Sequence, residues 1–385
     1  MTQLQRSFRR EMNDFVSRIS DRTCNFPQVS GAAFTKARAK FKHGAFKELS
    51  TLLVDSFYES GPHKKDWRGM RLLACDGSNV ELPNSEEIEA RFGIHSVRSD
   101  GKKISMGTLC ELYDPLNNLC IAGKLDGFKV SETALLWDIL KEQSFGKGDV
   151  FICDRYFYHI ALMLYLHQIG ADFCFRIKKS SNQVKALKAA GKQDGFFDIK
   201  LGRESKKLAA EVGVTEHTAK CRVSIIELDN GEEEYLLTSF LDPVQVSLAD
   251  LKELYFLRWG IEEHYKKLKH RVCIENFSGK TVESIYQDFY AKLFIINLTC
   301  TLIHPVDHLL SEQPKKKHVH KVNFTDALAR LKYVPIKLFL EKKVLGVIQT
   351  LHLDFLKSTI PIRKGRRTKR IHLYKRKYPQ NYKPA

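Results

Sequence analysis

Two short, mainly apolar segments that each end in an aspartate constrain the fold of this sequence more than any other feature. Residues 72–75 lead into Asp76, and residues 149–153 lead into Asp154. Short apolar runs that end at turn residues are typical of buried strands, and a segment of helical periodicity capped by Ser131 lies between these two. The alternation predicts an α/β domain. Carboxylates at strand ends converge at one edge of a sheet, so we expect Asp76 and Asp154 to lie close together.

The following segments continue this pattern to about residue 177 and then change in kind. Further β segments are predicted at about 105–114, 119–125 and 172–177, the first two as a hairpin. Residues 178–246 contain short β-rich pieces and a hairpin turn at 229–231, which predicts a β-rich insertion. Helices are predicted at about 157–168, 248–270, 282–303 and 323–348.

The N-terminal residues 1–68 show helical periodicity without strand signals. Ser30 can cap a helix that places Phe34, Ala37 and Phe41 on one face and basic residues between them. A helical module that binds DNA has this pattern, and so has an amphipathic packing helix with a solvated basic side. Both interpretations remain open at this point.

The charge balance of the chain is strongly basic, with 63 Lys and Arg against 45 Asp and Glu and a net charge of +18. Such an excess favours a polyanionic partner, above all nucleic acid, although some ordinary enzymes and ribosome-associated proteins are equally basic. Residues 363–385 contain ten Lys and Arg, and no acidic residue follows Asp354. This basic tail is expected to bind phosphates as a flexible arm.

The cysteines and the apolar segments indicate in which cellular compartment the protein is expected. The nine cysteines include no Cys-x-x-Cys pair, which predicts reduced thiols that pack in the core. The most apolar run, 293–303, is interrupted by polar residues, and the N-terminus lacks the apolar region of a signal peptide. We therefore expect a soluble, cytoplasmic protein with no membrane association.

A third acid, Glu262, lies in the predicted helix 248–270 together with three residues that suit phosphate binding. Tyr255, Arg258, Glu262 and Lys269 have offsets of 0, 3, 7 and 14. At about 100° per residue these positions return to within about 60° of one another, so all four share one helix face. Three carboxylates can hold two Mg²⁺ ions for a phosphoryl displacement. Strand-end aspartates are also common turn residues, and Glu and Lys are common on solvated helix faces.

With these residues the sequence resembles the DDE cut-and-paste transposases of bacterial insertion sequences, in the group with a Y-(2)-R-(3)-E-(6)-K signature. Tyr255-x2-Arg258-x3-Glu262-x6-Lys269 matches that signature at every position, and residues 73–78 (LACDGS) and 152–155 (ICDR) resemble the two aspartate motifs of the family. The resemblance covers about residues 70–305. One departure is Tyr156-Phe157, where the family usually has Gly and Tyr.

The resemblance implies a fold and a reaction. Asp76, Asp154 and Glu262 are expected to be the catalytic triad and to bind two Mg²⁺ ions, or Mn²⁺, in a ribonuclease H-like domain. Hydrolysis at the element end would give a 3′-OH, which would then attack target DNA. Tyr255, Arg258 and Lys269, and to a lesser extent Arg155, are expected to contact DNA phosphates. The partners would be double-stranded DNA, as terminal inverted repeats and target, and a second copy of the chain in a homodimer on DNA.

The resemblance also divides the chain. Residues 1–68 would form a helical DNA-binding module, 69–177 with 247–305 the ribonuclease H-like catalytic domain, 178–246 the β-rich insertion, and 306–385 a helical region with the basic tail. Two alternatives remain: a catalytically inactive or domesticated DNA-binding relative, and a metal-dependent DNA nuclease of the same fold. The first would have lost one of the acids, whereas Asp76, Asp154 and Glu262 are all present.

Overall fold

The computed structural model describes two compact units. It covers residues 8–20, 30–60, 63–97, 103–313, 318–332 and 343–363, with residues 99, 101, 334, 337 and 338. One unit, here called the terminal unit, comprises Met1–Lys64, Asn79–Gly107 and Lys266–Ala385. The other, called the site unit, comprises Lys65–Ser78 and Thr108–Tyr265. The four-part division expected from the sequence stays a prediction.

Helices and strands alternate along most of the described chain. The helices are α1 (Phe8–Ser20), α2 (Gly31–Lys40), α3 (Gly44–Ser60), α4 (Glu86–Phe92), α5 (Glu132–Glu142), α6 (Ile160–Gln168), α7 (Asn182–Ala189), α8 (Arg203–Glu211), α9 (Leu248–Leu257), α10 (Trp259–His270), α11 (Val282–Glu312), α12 (Phe324–Leu331) and α13 (Val344–Lys357). The strands are β1 (Arg71–Leu82), β2 (Ile94–Val97), β3 (Lys103–Asp114), β4 (Leu119–Gly127), β5 (Asp149–Cys153), β6 (Asp172–Arg176), β7 (Asp194–Lys200), β8 (Thr218–Glu227), β9 (Glu233–Thr238), β10 (His320–Val322) and β11 (Thr359–Pro361).

A mixed sheet organises these elements, so the expected α/β class is confirmed. Within the described residues, nine strands follow the order β2-β3-β1-β5-β6-β9-β8-β7, with β4 paired to β3. The pairs β1–β5 and β5–β6 are parallel, whereas β6–β9, β9–β8 and β8–β7 are antiparallel. The predicted β3–β4 hairpin and the predicted strands at 149–153 and 172–177 are all present.

The segment 178–246 contributes strands to this same sheet. It contains β7, β8 and β9, as its β-rich pattern predicts, and also the short helices α7 and α8. The antiparallel pairing of β9 with β6 continues the sheet that contains β1 and β5. Leu236 of β9 also packs in one buried cluster with Leu72 of β1 and Ile152 of β5. β9 pairs with a strand that is distant in sequence, so the local sequence pattern does not predict this pairing.

The single helix predicted at 248–270 is wrong, because the chain forms two helices that meet at Arg258. The amide of Arg258 donates to the carbonyl of Tyr255 at 3.1 Å, and the amide of Ile261 donates to the carbonyl of Arg258 at 3.1 Å. These are bonds over three residues, which tighten the turn. Two residues later, a Cβ on Gly260 would lie 2.7 Å from Cβ of Pro115. Gly260 therefore lets the start of α10 approach the β3–β4 turn closely.

The terminal unit is built around α11, which extends beyond the predicted 282–303. Arg38 of α2 forms an ion pair with the buried Asp288 at 3.1 Å. The ammonium group of Lys292 donates to the carbonyls of Cys273, Ile274 and Asn276, and burial lowers the pKa of this lysine to about 8. By length and composition α11 could cross a membrane, but half of its most apolar window is buried in the structure. We interpret it as the core helix of this unit.

Other local predictions are confirmed in the described residues. Ser30 and Ser131 cap α2 and α5, each accepting a hydrogen bond from the amide three residues on. The eight cysteines in the described part of the chain are free thiols, and seven of them are buried, as expected of core residues. The basic tail beyond Arg363 and the loop 314–317 lie outside the described residues.

Candidate active site

The two strand-end aspartates lie side by side at one edge of the sheet. Cys75 of β1 and Cys153 of β5 are partners in the parallel register, and each is followed by its aspartate. Neighbouring strands are about 4.8 Å apart, so Asp76 and Asp154 leave the paired strands next to each other. Residues 72–75 and 150–153 are fully buried, whereas the Asp76 side chain is 22% exposed. The predicted convergence of these two acids is confirmed.

The turn after Asp154 forms without the glycine that related sequences usually have there. The side-chain carboxylate of Asp154 accepts a hydrogen bond from the Tyr156 amide at 2.7 Å, and the backbone carbonyl of Asp154 accepts one from the Phe157 amide at 3.2 Å. None of the described residues 154–157 has a positive φ, so no glycine is required. The Phe157 side chain is buried and that of Tyr156 is exposed. The Tyr-Phe departure is therefore compatible with this turn.

Arg258 connects the third acid to the first. Its guanidinium lies 3.1 Å from Oε1 of Glu262 and 3.9 Å from Oδ2 of Asp76. The Arg258 side chain is only 8% exposed, and Glu262 is 30% exposed. A planar, permanently charged guanidinium can hold two carboxylates in fixed positions. Arg258 therefore brings Glu262 to the edge where Asp76 and Asp154 lie.

Electrostatics at this edge disfavour ionisation of Asp76. The pKa of Asp76 is raised to about 6, against an ordinary value of 3.8, mainly by burial and to a smaller extent by the charges of Asp154 and Glu262. The Gly77 amide, which donates to Oδ1 at 2.9 Å, and Arg258 act in the opposite direction. Burial outweighs these two contacts, so the ionised form of Asp76 is unfavourable at this edge.

Contacts of α10 hold Glu262 in place. The Tyr265 hydroxyl donates to the backbone carbonyl of Asp76 at 2.7 Å, which ties the helix to β1. Nε2 of His264 lies 2.6 Å from Oε2 of Glu111 on β3, and both side chains are buried. The ring of His264 also stacks on Tyr113, with centroids 4.4 Å apart. Because these contacts lie two and three residues after Glu262, they anchor to the sheet the helix that carries Glu262.

A group of possible metal ligands adjoins this anchor. Within the described residues, donor atoms of Glu111, Cys120 and His264 lie within 4.8 Å of one another, and all three residues are buried. Two ligands on one tetrahedral Zn²⁺ at about 2.0–2.1 Å would be about 3.3 Å apart. The 2.6 Å separation of Glu111 and His264 is a hydrogen-bond distance. The group therefore fits a buried hydrogen-bonded pair and not a zinc centre.

The residues expected to contact DNA have different environments. Arg155 is exposed, directly after Asp154. Lys269 belongs to the terminal unit and donates to the carbonyl of Asn79 at 3.0 Å. Tyr255 is 2% exposed within the core, and its hydroxyl has no hydrogen-bond partner in the described part of the chain. The phosphate contacts of these residues stay predictions. Glu263, which follows Glu262 and does not fit the signature spacing, is exposed.

Sequence reasoning missed one acid at this edge, Glu132. It is the first residue of α5, and its pKa is raised to about 7, first by burial and then by Asp76 and Asp154. An acid in the first turn of a helix is a common capping feature, so the sequence around Ser131 gave no reason to connect it with the aspartates.

Comparisons with known proteins show what this chain is similar to. Residues 67–298 match the sequence model of a family described as the transposase DDE domain. The chain is 23% identical over 296 residues to the transposase InsG for insertion sequence element IS4 of Escherichia coli (strain K12). That alignment spans 76% of this chain and 65% of the relative, slightly less than two thirds of its length. A cryo-EM structure of a piggyBac transposase synaptic complex with hairpin DNA aligns over 91% of this chain and 79% of that chain, at 10% identity and a TM-score of 0.41.

The raised pKa of Asp76 predicts a pH-dependent effect of Asp76→Asn on stability in the metal-free protein. Asp76 stays protonated in the folded protein up to about pH 6, but in the unfolded chain only up to about pH 4. The free energy of unfolding therefore falls as the pH rises from about 4 through 6. Asn does not titrate. In EDTA, the melting temperature of Asp76→Asn relative to the unaltered protein should therefore increase by a few degrees between pH 4 and pH 8.

Asp229→Asn provides the control, because the ion pair with Lys252 lowers the pKa of the exposed Asp229. The melting temperature of Asp229→Asn relative to the unaltered protein should not increase between pH 4 and pH 8, because Asp229 stabilises the fold in its ionised form. An equal difference between Asp76→Asn and the unaltered protein at pH 4 and pH 8 would contradict the assignment.

The buried pair of His264 and Glu111 predicts a large loss of stability in His264→Ala. Removal of one partner leaves the other buried without compensation, so the free energy of unfolding should fall by about 3–5 kcal/mol in chemical denaturation. The exposed pair of His167 and Glu216, at 2.5 Å, is the control. Its loss in His167→Ala should lower the free energy by at most about 1 kcal/mol. One zinc per chain in the purified protein, lost in His264→Ala, would contradict the hydrogen-bond interpretation.

Proposed function

Because the chain belongs to the family of transposases with a DDE domain, we propose that it cleaves DNA at the ends of an insertion sequence and transfers the freed strand into target DNA. The observation that carries this proposal is the convergence of three acids. Asp76 and Asp154 follow paired residues of parallel strands, and Arg258 joins Glu262 to Asp76. Hydrolysis at the element end would leave a 3′-OH, and this hydroxyl would attack the target phosphodiester.

The donor set suits a hard divalent cation. Asp76, Asp154 and Glu262 would hold two Mg²⁺ or Mn²⁺ ions, which prefer carboxylate oxygens, and a bound cation would stabilise the ionised form of the partly buried Asp76. Such ions activate an attacking oxygen and stabilise a leaving oxygen in phosphoryl transfer. Arg258 would keep Glu262 and Asp76 in position, and Tyr265 would fix the backbone of Asp76.

We further propose that the fold of this centre is ribonuclease H-like. Its support is the strand order β4-β3-β1-β5-β6, in which a hairpin lies on one side of β1 and the parallel strands β5 and β6 lie on the other. Acids at the ends of β1 and β5, and a third acid on a later helix, agree with this arrangement.

The proposed partner is double-stranded DNA, as the terminal inverted repeats of the element and as target. Arg155 is exposed beside Asp154 and would contact the phosphates near the cleaved bond. Arg258 and Lys269 are proposed as further phosphate contacts by their signature positions. Tyr255 belongs to the same signature, but its hydroxyl is buried, so a contact with phosphate would require the residues around it to move. Recognition of the element ends would fall to the helices of residues 1–68. Synapsis of two ends would require a homodimer on DNA, and the reaction would take place in the cytoplasm.

Asp76→Asn, Asp154→Asn and Glu262→Gln should each abolish Mg²⁺-dependent cleavage of a plasmid that carries the sequences flanking the gene. Each substitution removes a charge that the reaction requires and keeps the shape of the side chain. DNA binding in a gel-shift assay should persist, because phosphate contacts through basic residues are unchanged. Glu263→Gln, next to Glu262 and exposed, should cleave normally.

Cleavage at the normal rate by one of the three variants would remove that residue from the centre. Joined products in which the element end is inserted into a second plasmid would separate a transposase from a nuclease of the same fold. Cleavage without joining would favour the nuclease.

Truncation after Arg363 should reduce the salt dependence of DNA binding, because it removes nine of the ten Lys and Arg of the basic tail. The slope of log K against log salt concentration reports the number of neutralised phosphates, at about 0.9 per contact. This end point keeps the pairing of β10 with β11 and the hydrogen bond from the Ile362 amide to Val319. A full-length chain with Gln at the same nine positions is the control and should behave like the truncation. An unchanged slope would exclude phosphate contacts by the tail.

A further inference from the structure

Glu132 lies against the backbone that follows the first aspartate. A Cβ placed on Gly77 would overlap the Cγ and the carboxyl group of Glu132. The φ of Gly77 is outside the left-handed region, so its backbone would accept any residue. The glycine after Asp76 therefore leaves room for the side chain of Glu132, and the conformation of the turn does not require it.

The charges around Glu132 do not explain why an acid occupies this position. An acid at the start of a helix normally interacts with the helix dipole, which lowers its pKa. Here burial, Asp76 and Asp154 raise the pKa of Glu132 to about 7. Arg258 offsets charge at Asp76 and Glu262, but among the described residues the charged groups that shift this pKa are both acids. Without a bound cation, a carboxylate here is unfavourable.

We propose that Glu132 is a fourth carboxylate ligand of the metal centre formed by Asp76, Asp154 and Glu262. The inference rests on the proposed function, because it assumes that the three acids bind divalent ions. The site unit supplies all four residues, from β1, α5, the end of β5 and α10. Oxygen ligands are what Mg²⁺ and Mn²⁺ require, and an additional carboxylate beside Asp76 would increase the affinity of the centre.

A helix-capping role is the structural alternative, and it makes a different prediction. A capping acid interacts with the first turn of its own helix and is independent of residue 77. The overlap of Glu132 with a Cβ at Gly77 instead couples the carboxyl group to the backbone next to Asp76. Substitutions at residues 77 and 132 should therefore affect metal binding through the same contact.

The test measures Mn²⁺ binding to the purified full chain by the EPR signal of free Mn²⁺, without DNA. Glu132→Gln should weaken binding by about tenfold or more, the loss typical when a group beside a metal is removed. Glu142→Gln is the matched control, because Glu142 ends the same helix about 15 Å away and pairs with Lys124. It should bind Mn²⁺ as the unaltered protein does. Circular dichroism and the melting temperature in EDTA verify that each variant is folded.

A double-mutant cycle tests the contact with Gly77. Gly77→Ala should weaken Mn²⁺ binding because its methyl group displaces the Glu132 carboxyl, and adding Glu132→Gln to it should weaken binding little more. If the two losses multiply independently, residue 77 does not act through Glu132 and the proposed geometry is overturned.

Asp154→Asn separates failure of this inference from failure of the proposed function. If Asp154→Asn weakens Mn²⁺ binding and Glu132→Gln does not, the metal centre stands and Glu132 is not a ligand. If neither substitution changes Mn²⁺ binding, the metal centre itself is overturned, and the fourth ligand with it. Loss of binding in both, with Glu142→Gln unaffected, supports the inference.

Discussion

Several carboxylates are partly buried together at one edge of the sheet, and this burial is the constraint on which the arrangement of the site unit depends. The pKa of Asp76 is raised to about 6 and that of Glu132 to about 7, so the fold holds acids together where their ionisation is unfavourable. Arg258 offsets part of this charge. Shifted pKa values of this kind are typical of functional sites.

Acids that repel one another keep their positions only if their backbones are fixed independently. The register of β1 with β5 fixes Asp76 and Asp154 through pairing of the buried residues before them. Glu262 is fixed differently, because the neighbouring His264 and Tyr265 connect α10 to β3 and β1. Each anchor is buried or nearly so, and none uses a carboxylate of the site. The positions of these carboxylates are thus set by the scaffold, as a preorganised site requires.

The sequence predicts those parts of the site that depend on local pattern. Short apolar runs before Asp76 and Asp154 are sufficient to predict strands and their shared edge. The choice of Glu262 over Glu263 depends on the signature of the family that the sequence resembles. The break at Arg258 was not predictable, because it accompanies close packing of Gly260 on Pro115, a partner 145 residues away in sequence. Glu132 was missed for the same reason. Its sequence context is that of a helix start, and its contact with Gly77 exists only in the folded chain.

The division of charge along the chain links metal binding to DNA binding in the proposed function. The net positive charge is concentrated in residues 1–68 and in the tail, which favour DNA at long range. The edge where cleavage would occur carries acids and would repel a phosphodiester on its own. A divalent cation would make the local charge positive, and a DNA phosphate would in turn add an oxygen ligand for that cation. Each ligand therefore improves the site for the other, and by linkage the gain in affinity is the same in both directions. Cleavage would then require both, so that the acids remain inert toward DNA that is held only by the basic segments.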